Sequence, residues 1–310
     1  MLKQIVSIDI RNVKNECVYS GFTYPEIRKY SVDGKINTLA VKVFLHENGL
    51  LSTADLLNPK CDYTPIAWGL YKAFYQGILS LNCTKQKGIV NNTPIRMSTS
   101  LGGKMKDVYA FSTLSLVNPM CQARMKNKRL VCNKCYVKKS LYIWAILNYV
   151  QNSYILMNFE LPTEWIPVIR DSVRAKHPYI RIESFGDLFN VLQAENYLRI
   201  VYANPSFHFG IWTKNPNYFA QAVDKYGKPE NLKSTLSVSE VGLNHMDWER
   251  WKKYFDHIFR VVETQEEKDF VLANNYHAYP CKCGNRSCIE CHMCYDCDPE
   301  YNEAVELLRQ

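Results

Sequence analysis

From about residue 96 onward, hydrophobic positions along the chain switch between two periods. Runs that alternate apolar and polar residues, as strands do, are interleaved with segments whose apolar residues return every three or four positions, as on a helix. Such strand–helix alternation is typical of βαβ units around a parallel sheet. We expect about five units, with strands at 107–117, 179–184, 207–212, 232–238 and 258–262 and helices at 136–157, 164–175, 187–202, from 215, 246–255 and 264–273.

Sequential right-handed crossovers curl a parallel sheet into a barrel or part of one. The predicted fold class is therefore α/β, with a partial (β/α) barrel over residues 96–275. Residues 1–95 are interpreted as an N-terminal extension of unclear role, and residues 276–310 as a Cys-rich metal-binding tail. Within the extension we expect short strands at 5–10, 38–44 and 89–95 and a helix at 68–81.

Charged and aromatic residues follow the predicted strands, at the edge where barrels place their functional groups. Glu183 and Asp187 end one strand and are candidate acid–base residues, although Asp187 equally suits the cap of the next helix. Lys214 ends another strand and is the third catalytic candidate. The predicted cofactor-binding residues are Arg181, Trp212 and Lys214.

The chain has 310 residues and a formal net charge of +8, and part of that charge lies between residues 121 and 139. These cations either offset a thiolate-bound group or are simply solvated, which we favour, or they contact nucleic acid. No signal peptide is recognisable, and the most apolar stretch, 141–150, is shorter than the ~20 residues that cross a bilayer. We therefore expect a cytoplasmic protein with no membrane partner, and a small molecule or an electron donor as its partner.

Cysteine is the residue type that indicates chemistry most strongly. Nine of the 12 cysteines fall in two groups, whereas Cys17, Cys61 and Cys83 are scattered. In a reducing compartment, such groups indicate metal ligands rather than disulfides. The predicted ligands are Cys121, Cys132 and Cys135 in the first group, and Cys281, Cys283, Cys288, Cys291, Cys294 and Cys297 in the second.

Thiolates select zinc, copper(I) or iron–sulfur clusters over hard cations. The run Cys288-x-x-Cys291-x-x-Cys294 resembles the ferredoxin-type run, in which one tight loop holds a face of a cubane. A structural zinc site more often pairs two Cys-x-x-Cys knuckles a dozen or more residues apart. We therefore expect iron–sulfur, as 4Fe–4S or larger, with zinc as the alternative. The two groups either hold separate centres or join at one site.

Several short motifs follow one another along residues 96–297. They are Ser98-Thr-Ser-Leu-Gly-Gly-Lys104, Cys121…Cys132-x-x-Cys135-Tyr136, Arg181…Gly186-Asp187, Trp212-Thr213-Lys214 and the Cys-rich tail. Their order resembles the bacteriophage gene-product-88-like family, which implies a phage-encoded protein in the host cytoplasm but no established reaction. Cysteines followed by Cys-Tyr are also distantly similar to those of radical S-adenosylmethionine enzymes, whose three cluster cysteines are more closely spaced than Cys121, Cys132 and Cys135.

The leading prediction is an iron–sulfur cluster-binding protein, with the cluster at the mouth of a partial barrel. A redox or radical-type enzyme is one role for it, and electron transfer or structural support are others. The alternative is a zinc-stabilised module that binds nucleic acid or serves as structure.

Overall fold

Eight strands form one sheet in the computed structural model, which describes residues 24–31, 36–58, 62–98, 103–137, 141–243, 247–281, 286–296 and 301–308. The spatial order is β1-β2-β3-β4-β5-β6-β8-β7. All neighbours are parallel except β1 and β2. The strands are β1 (Met97–Ser98), β2 (Tyr109–Phe111), β3 (Tyr179–Ile182), β4 (His208–Thr213), β5 (Leu232–Ser237), β6 (His257–Val262), β7 (Ala278–Pro280) and β8 (Glu303–Leu307).

The helices of the described residues range from single turns to the 16-residue α6. They are α1 (Pro25–Arg28), α2 (Thr38–Glu47), α3 (Thr53–Leu57), α4 (Tyr63–Tyr75), α5 (Pro119–Met125), α6 (Ile143–Asn158), α7 (Asp171–Arg174), α8 (Val191–Tyr202), α9 (Pro216–Tyr226), α10 (Trp248–Trp251), α11 (Gln265–Asn274), α12 (Cys288–Cys291) and α13 (Met293–Asp296). Four 3₁₀ turns cover Gly103–Met105, Ser115–Val117, Val131–Lys134 and Thr163–Trp165.

The two faces of the sheet have different coverings. Ile180 and Ile182 of β3 and Phe209 and Ile211 of β4 are buried in one large core with α6, α8 and α9. Strands in sequential order with crossovers of one hand place their helices on one side. Helices α1, α2 and α4 contribute to the same core, so the described part of residues 24–95 packs with the sheet.

The opposite side, which we call the second face, carries the alternate side chains of the same strands. The strand register aligns Ala110 of β2, Arg181 of β3 and Gly210 of β4 across it. Trp212 lies further along β4 on this face, and Phe259 of β6 follows by the same alternation. None of the described crossover helices of the central strands packs on this face. The Cys-rich segment packs there instead, with Cys288 and Ile289 against Val108 and Ala110.

The α/β class and the parallel central strands are confirmed, but the predicted barrel is not, because the sheet is open. Strand β8 lies between β6 and β7, so the last crossover turns back into the sheet instead of continuing toward β1. At the other edge, the two-residue antiparallel β1 ends the parallel series. Within the described residues, no pairing joins β1 to β7.

Some local predictions also need correction. Residues 38–44 form part of α2, not a strand, because Asn37 caps the helix by accepting from Ala40 N at 2.8 Å. Residues 89–95 contribute only an isolated bridge at Ile89. A 3₁₀ turn and the short α7 replace a continuous helix at 164–175, because Pro167 interrupts it. The strand predicted at 5–10 lies outside the described residues.

Two helices begin later in the structure than the sequence predicts. Asn190, and not Asp187, caps α8, since its side chain accepts from Gln193 N at 2.8 Å. Helix α6 begins at Ile143, seven residues after the predicted start at 136. The capping box of Thr264 and Glu267 at the start of α11 is confirmed. None of the described helices is long and apolar enough to cross a membrane.

Candidate functional site

The Cys-rich segment lies on the second face as two single-turn helices. Ser287 and Glu290 form a capping box that starts α12. His292 has φ +38°, a left-handed conformation that ends α12 and redirects the chain into α13. Tyr295 of α13 is buried and packs edge-on against Trp212, with ring centroids 5.7 Å apart.

Gly210 makes this packing feasible. A Cβ atom at this position would lie 2.6 Å from Trp212 Cζ3 and 2.9 Å from the Tyr295 ring. Both contacts are with ring atoms that cannot bend away. The absence of a side chain at Gly210 therefore lets the Cys-rich segment sit directly on the strand.

Four thiols of the described residues line one cavity of about 40 Å³ in this segment. Cys281 follows β7, Cys288 and Cys291 bound α12, and Cys294 lies in α13. All four are thiols rather than halves of a disulfide. Cys283 and Cys297, also predicted as ligands, lie outside the described residues.

Two cationic side chains reach this group of thiols from the sheet side. Lys104 Nζ lies 3.2 Å from Cys281 Sγ and 2.5 Å from Glu306 Oε2. Burial lowers the pKa of Lys104, but Cys281 and Glu306 outweigh it, so the net pKa is raised and the ammonium persists. Arg181 stacks on Trp212 with Cζ 3.1 Å from the ring centroid, and it is an electrostatic neighbour of Cys288.

Arg181 also has an unused donor. Its Nε is buried and has no hydrogen-bond partner among the described residues. A buried N–H without an acceptor is costly unless a bound group accepts from it. The unpaired nitrogen therefore suits a bound anion beside the thiols.

Protonation of the thiols is set mainly by their burial. Burial raises the pKa of Cys294 to about 12, although the Tyr279 hydroxyl, 3.2 Å from Cys294 Sγ, opposes the shift. Burial likewise raises the pKa of Cys281 and of Cys288, and Lys104 and Arg181 act in the opposite direction. Without a metal these thiols hold their protons, and a metal must displace them on binding.

The first cysteine group lies elsewhere, at the C-terminal ends of β3 and β4. Cys121 is buried near the start of α5, where Asn118 accepts from its backbone N–H at 3.2 Å. Cys132 lies in the 3₁₀ turn Val131–Lys134 and Cys135 follows it directly, with Cys135 N donating to Cys132 O at 3.1 Å. Burial raises the pKa of Cys121 well above its usual value, with Asp187, Cys132, Lys214 and Cys135 as its charged or ionisable neighbours.

Asp187 is held by protein donors rather than exposed. It accepts from Thr213 Oγ1 at 2.6 Å and from Lys214 N at 3.2 Å, and it pairs with Arg124 at 3.5 Å. These bonds join the loops after β3 and β4 to α5. Its predicted acid–base role stays a prediction.

Glu183 is buried with φ +59°. Its carboxylate accepts from Thr113 Oγ1 at 2.8 Å, Gln193 Nε2 at 2.6 Å and Tyr197 OH at 2.6 Å. Burial raises the pKa of Glu183 to about 7, against the lowering by Tyr197 and Thr113. The carboxylate ties the end of β2 to α8, and its catalytic role likewise stays a prediction.

The predicted cofactor-binding residues are divided between the two cysteine groups. Arg181 and Trp212 lie at the C-terminal thiols, whereas Lys214 is a neighbour of Cys121. Lys104 and Tyr279 are not among the residues predicted from the sequence. Lys104 ends the first of the family-like motifs, which was the one available signal, but Tyr279 has no local signal in the sequence.

Two further observations concern the cysteines. Cys83 is buried and disulfide-bonded, so it has no thiol that could bind a metal. Within the described residues, no three His, Cys, Asp or Glu side chains approach closely enough to hold a single metal ion.

The open α/β sheet with thiols on its second face belongs to a chain that matches a known family model. The family model described as Gene product 88 matches residues 85–298, which is well over half of the chain. The chain belongs to the gene product 88 family, as the order of its motifs predicts. No curated protein and no solved structure shows a significant match. The distant similarity to radical S-adenosylmethionine enzymes finds no support in these comparisons.

Proposed function

We propose that this chain is an iron–sulfur protein in which Cys281, Cys288, Cys291 and Cys294 hold one cluster on the second face of the sheet. The observation that carries the proposal is the convergence of four cysteine side chains on one cavity. Thiolate is the ligand type that iron–sulfur clusters require, and four thiolates satisfy the corners of a 4Fe–4S cubane.

The surroundings of the cavity support the same group. Bringing several thiolates out of water is expensive unless nearby cations offset their charge. Lys104 supplies one cation at 3.2 Å from Cys281, and Arg181 supplies a second with a buried N–H that has no partner among the described residues. Trp212 and Tyr295 cover the sheet side of the cavity with aromatic rings, which limits the access of water.

A cluster with four protein thiolates suits electron transfer. When bound, it supplies a one-electron carrier whose potential depends on its charge, its burial and the hydrogen bonds to its sulfurs. The chain's own groups act on each of these properties: Lys104 and Arg181 set the local charge, Tyr279 donates toward Cys294, and the aromatic pair sets the burial.

Substitution of individual thiols tests the proposal. We expect anaerobically purified Cys288→Ala and Cys294→Ala to carry less iron and less acid-labile sulfide per chain than wild type, with reduced absorbance near ~400 nm. Cys17→Ala, a cysteine outside both groups in the sequence, is the control and should keep the wild-type content. Wild-type iron and sulfide in both cavity variants would refute the site. Zinc in their place would refute the type of metal.

A further inference from the structure

The basic residues around the first cysteine group form a one-sided run of charge. Between Asp107 and Glu160 the chain contains no acidic residue. Seven basic residues lie in that interval, namely Arg124, Lys126, Lys128, Arg129, Lys134, Lys138 and Lys139. The structure describes the first five, which belong to α5, to the 3₁₀ turn Val131–Lys134 and to the loop between them. We call residues 119–135 the basic unit, and the unit itself has no carboxylate to neutralise its charge.

The basic unit is fixed at the C-terminal edge of the sheet. Arg124 donates to Lys214 O at 3.1 Å and to Asn215 Oδ1 at 2.8 Å, both in the loop after β4. Val131 N donates to Ser239 O, which follows β5, at 3.0 Å. The 3₁₀ turn is tied to the helix, because Asn133 Nδ2 donates to Met125 O at 2.9 Å. The cations of the unit are therefore carried on one anchored surface.

Four of the five described cations of the unit are exposed, namely Lys126, Lys128, Arg129 and Lys134. Within the part of the chain that the structure describes, none of these four forms an ion pair. Arg124 differs from them, because it bonds to the sheet edge and pairs with Asp187. Exposed lysines elsewhere are paired with carboxylates, as in Lys225, Lys252 and Lys253. The basic unit thus presents positive charge that the fold leaves uncompensated.

We propose that the basic unit binds single-stranded nucleic acid, with its exposed cations on the phosphate backbone. Phosphates repeat along such a strand, so several cations on one anchored unit can contact successive phosphates. Lys and Arg side chains are the groups that commonly make these contacts. The inference goes beyond the iron–sulfur proposal and does not depend on it, because no thiol takes part in the binding.

An aromatic ring beside the basic unit favours a single strand over a duplex or an acidic protein. Tyr136 directly follows the unit and is 50% exposed. Its hydroxyl donates to Ser184 O, and its ring centroid lies 6.1 Å from that of Phe185, so the ring is held in place. Unpaired bases stack on such rings, whereas the bases of a duplex stack on each other and an acidic protein has none. Cations next to an anchored aromatic ring are the combination that single-strand sites use.

The salt dependence of binding measures how many phosphates the unit contacts. The probe is fluorescently labelled oligothymidylate or oligouridylate of about 20 nucleotides, longer than the site of a typical single-strand-binding fold. Fluorescence anisotropy follows its binding to the full chain. Each phosphate contact on a single strand contributes about −0.7 to the slope of log K against log salt, so the four exposed cations predict a slope of about −3. No binding of either probe, or a slope near zero, would overturn the inference.

Two double variants separate the position of the charges from their number. Lys126→Gln/Lys128→Gln should weaken binding roughly 10- to 30-fold at about 0.1 M salt and reduce the magnitude of the slope by about 1.4. Lys85→Gln/Lys87→Gln is the matched control, because it removes two exposed lysines of the same spacing outside the basic unit and changes the net charge equally. Equal loss of affinity in the two double variants would mean that only net charge matters, and would refute the site.

Tyr136→Leu tests base stacking separately from charge. We expect it to weaken binding of the single strand roughly 10-fold without changing the slope, because it removes the ring but no charge. Tyr202→Leu is the control, since Tyr202 is 49% exposed and its hydroxyl likewise donates to a backbone carbonyl, Tyr226 O, at 2.9 Å. Equal affinity in these two variants would refute the role of Tyr136 in the binding.

Competition on the wild-type chain covers the case in which a variant does not fold, which circular dichroism reveals. An unlabelled single strand should displace the probe at lower concentration than a duplex or polyglutamate with the same number of charges. Displacement by polyglutamate at the same concentration would overturn the inference in favour of an acidic protein partner. Displacement by the duplex at the same concentration would overturn it in favour of binding to the phosphate backbone alone.

Discussion

Replacing Lys104 with methionine removes the cation that contacts Cys281 while preserving most of the side chain's length. Unit charges separated by the 3.2 Å between Lys104 Nζ and Cys281 Sγ attract by about 5 kcal/mol at an effective dielectric constant of ~20. The net gain is smaller than this attraction, because the ammonium loses its hydration on burial and because part of its charge is already neutralised by Glu306 at 2.5 Å. We therefore expect the net loss of metal affinity to be roughly 10- to 100-fold, the range typical of groups that support metal ligands.

The assay is a chelator titration of the metal-loaded proteins, with bound metal measured at each concentration. Lys106→Met is the matched control, because Lys106 is an exposed lysine two residues away, outside the residues that line the thiol cavity. The double variant Lys104→Met/Glu306→Gln tests whether an uncompensated carboxylate, rather than the missing cation, causes the loss. Half-loss at the same chelator concentration in Lys104→Met and Lys106→Met would refute the assigned role of Lys104.

Three further predictions concern the site and the fold. Tyr279→Phe removes the hydroxyl that lies 3.2 Å from Cys294 Sγ and should lower the cluster's reduction potential by tens of millivolts, since about 1 kcal/mol of hydrogen bonding corresponds to ~40 mV for one electron. Tyr276→Phe, at an exposed tyrosine, should leave the potential unchanged. Gly210→Ala should cost about 1–3 kcal/mol of unfolding free energy and should also lower the metal content. Gly69→Ala, at another buried glycine where a Cβ would lie 2.9 Å from Leu45 Cδ1, should lower only the unfolding midpoint; equal metal content in the two variants would contradict the packing account. Folding raises the pKa of Glu183 to about 7, so its contribution to the free energy of unfolding is full below its unfolded pKa near 4.5 and is lost as the pH rises through 7. This contribution is on the order of 3 kcal/mol. Glu183→Gln should therefore flatten the pH dependence of the unfolding free energy between pH 4.5 and 7, and an unchanged slope would contradict the role assigned to Glu183.

Local sequence patterns predict the strands of the central sheet well. β3, β4, β5 and β6 lie within a residue or two of their predicted bounds because each alternates regularly and is flanked by a helix signal. The capping box at Thr264 is equally local, since both of its bonds lie within four residues. Residues 38–44 were predicted as a strand because a buried strand and a buried helix share the same apolar composition. They form a helix, whose first turn is capped by the side chain of Asn37.

Closure of the sheet could not be predicted in the same way. Whether a sequential parallel sheet becomes a barrel depends on where its last strands insert. The position of β8 between β6 and β7 is a long-range pairing with no local signature. The short antiparallel β1, of two residues, is also too brief to show a period.

In the candidate site, too, the residues that are close in sequence could be predicted and those that meet only through the fold could not. Its thiols were predictable because Cys288, Cys291 and Cys294 lie at short spacing in the sequence. The cation beside them was not, because Lys104 and Cys281 are 177 positions apart and meet only through the fold. Glu183 and Asp187 appear at a strand end as predicted, yet their hydrogen bonds to Tyr197 and Arg124 become visible only in three dimensions.

The central claim is that the thiols on the second face hold an iron–sulfur cluster. The most direct measurement is the iron, zinc and acid-labile sulfide content of the anaerobically purified full chain, together with its visible spectrum. The account predicts a brown protein with iron and sulfide in comparable amounts, about four or more of each per chain, whose colour bleaches with dithionite. A colourless protein that contains zinc and no sulfide would contradict it.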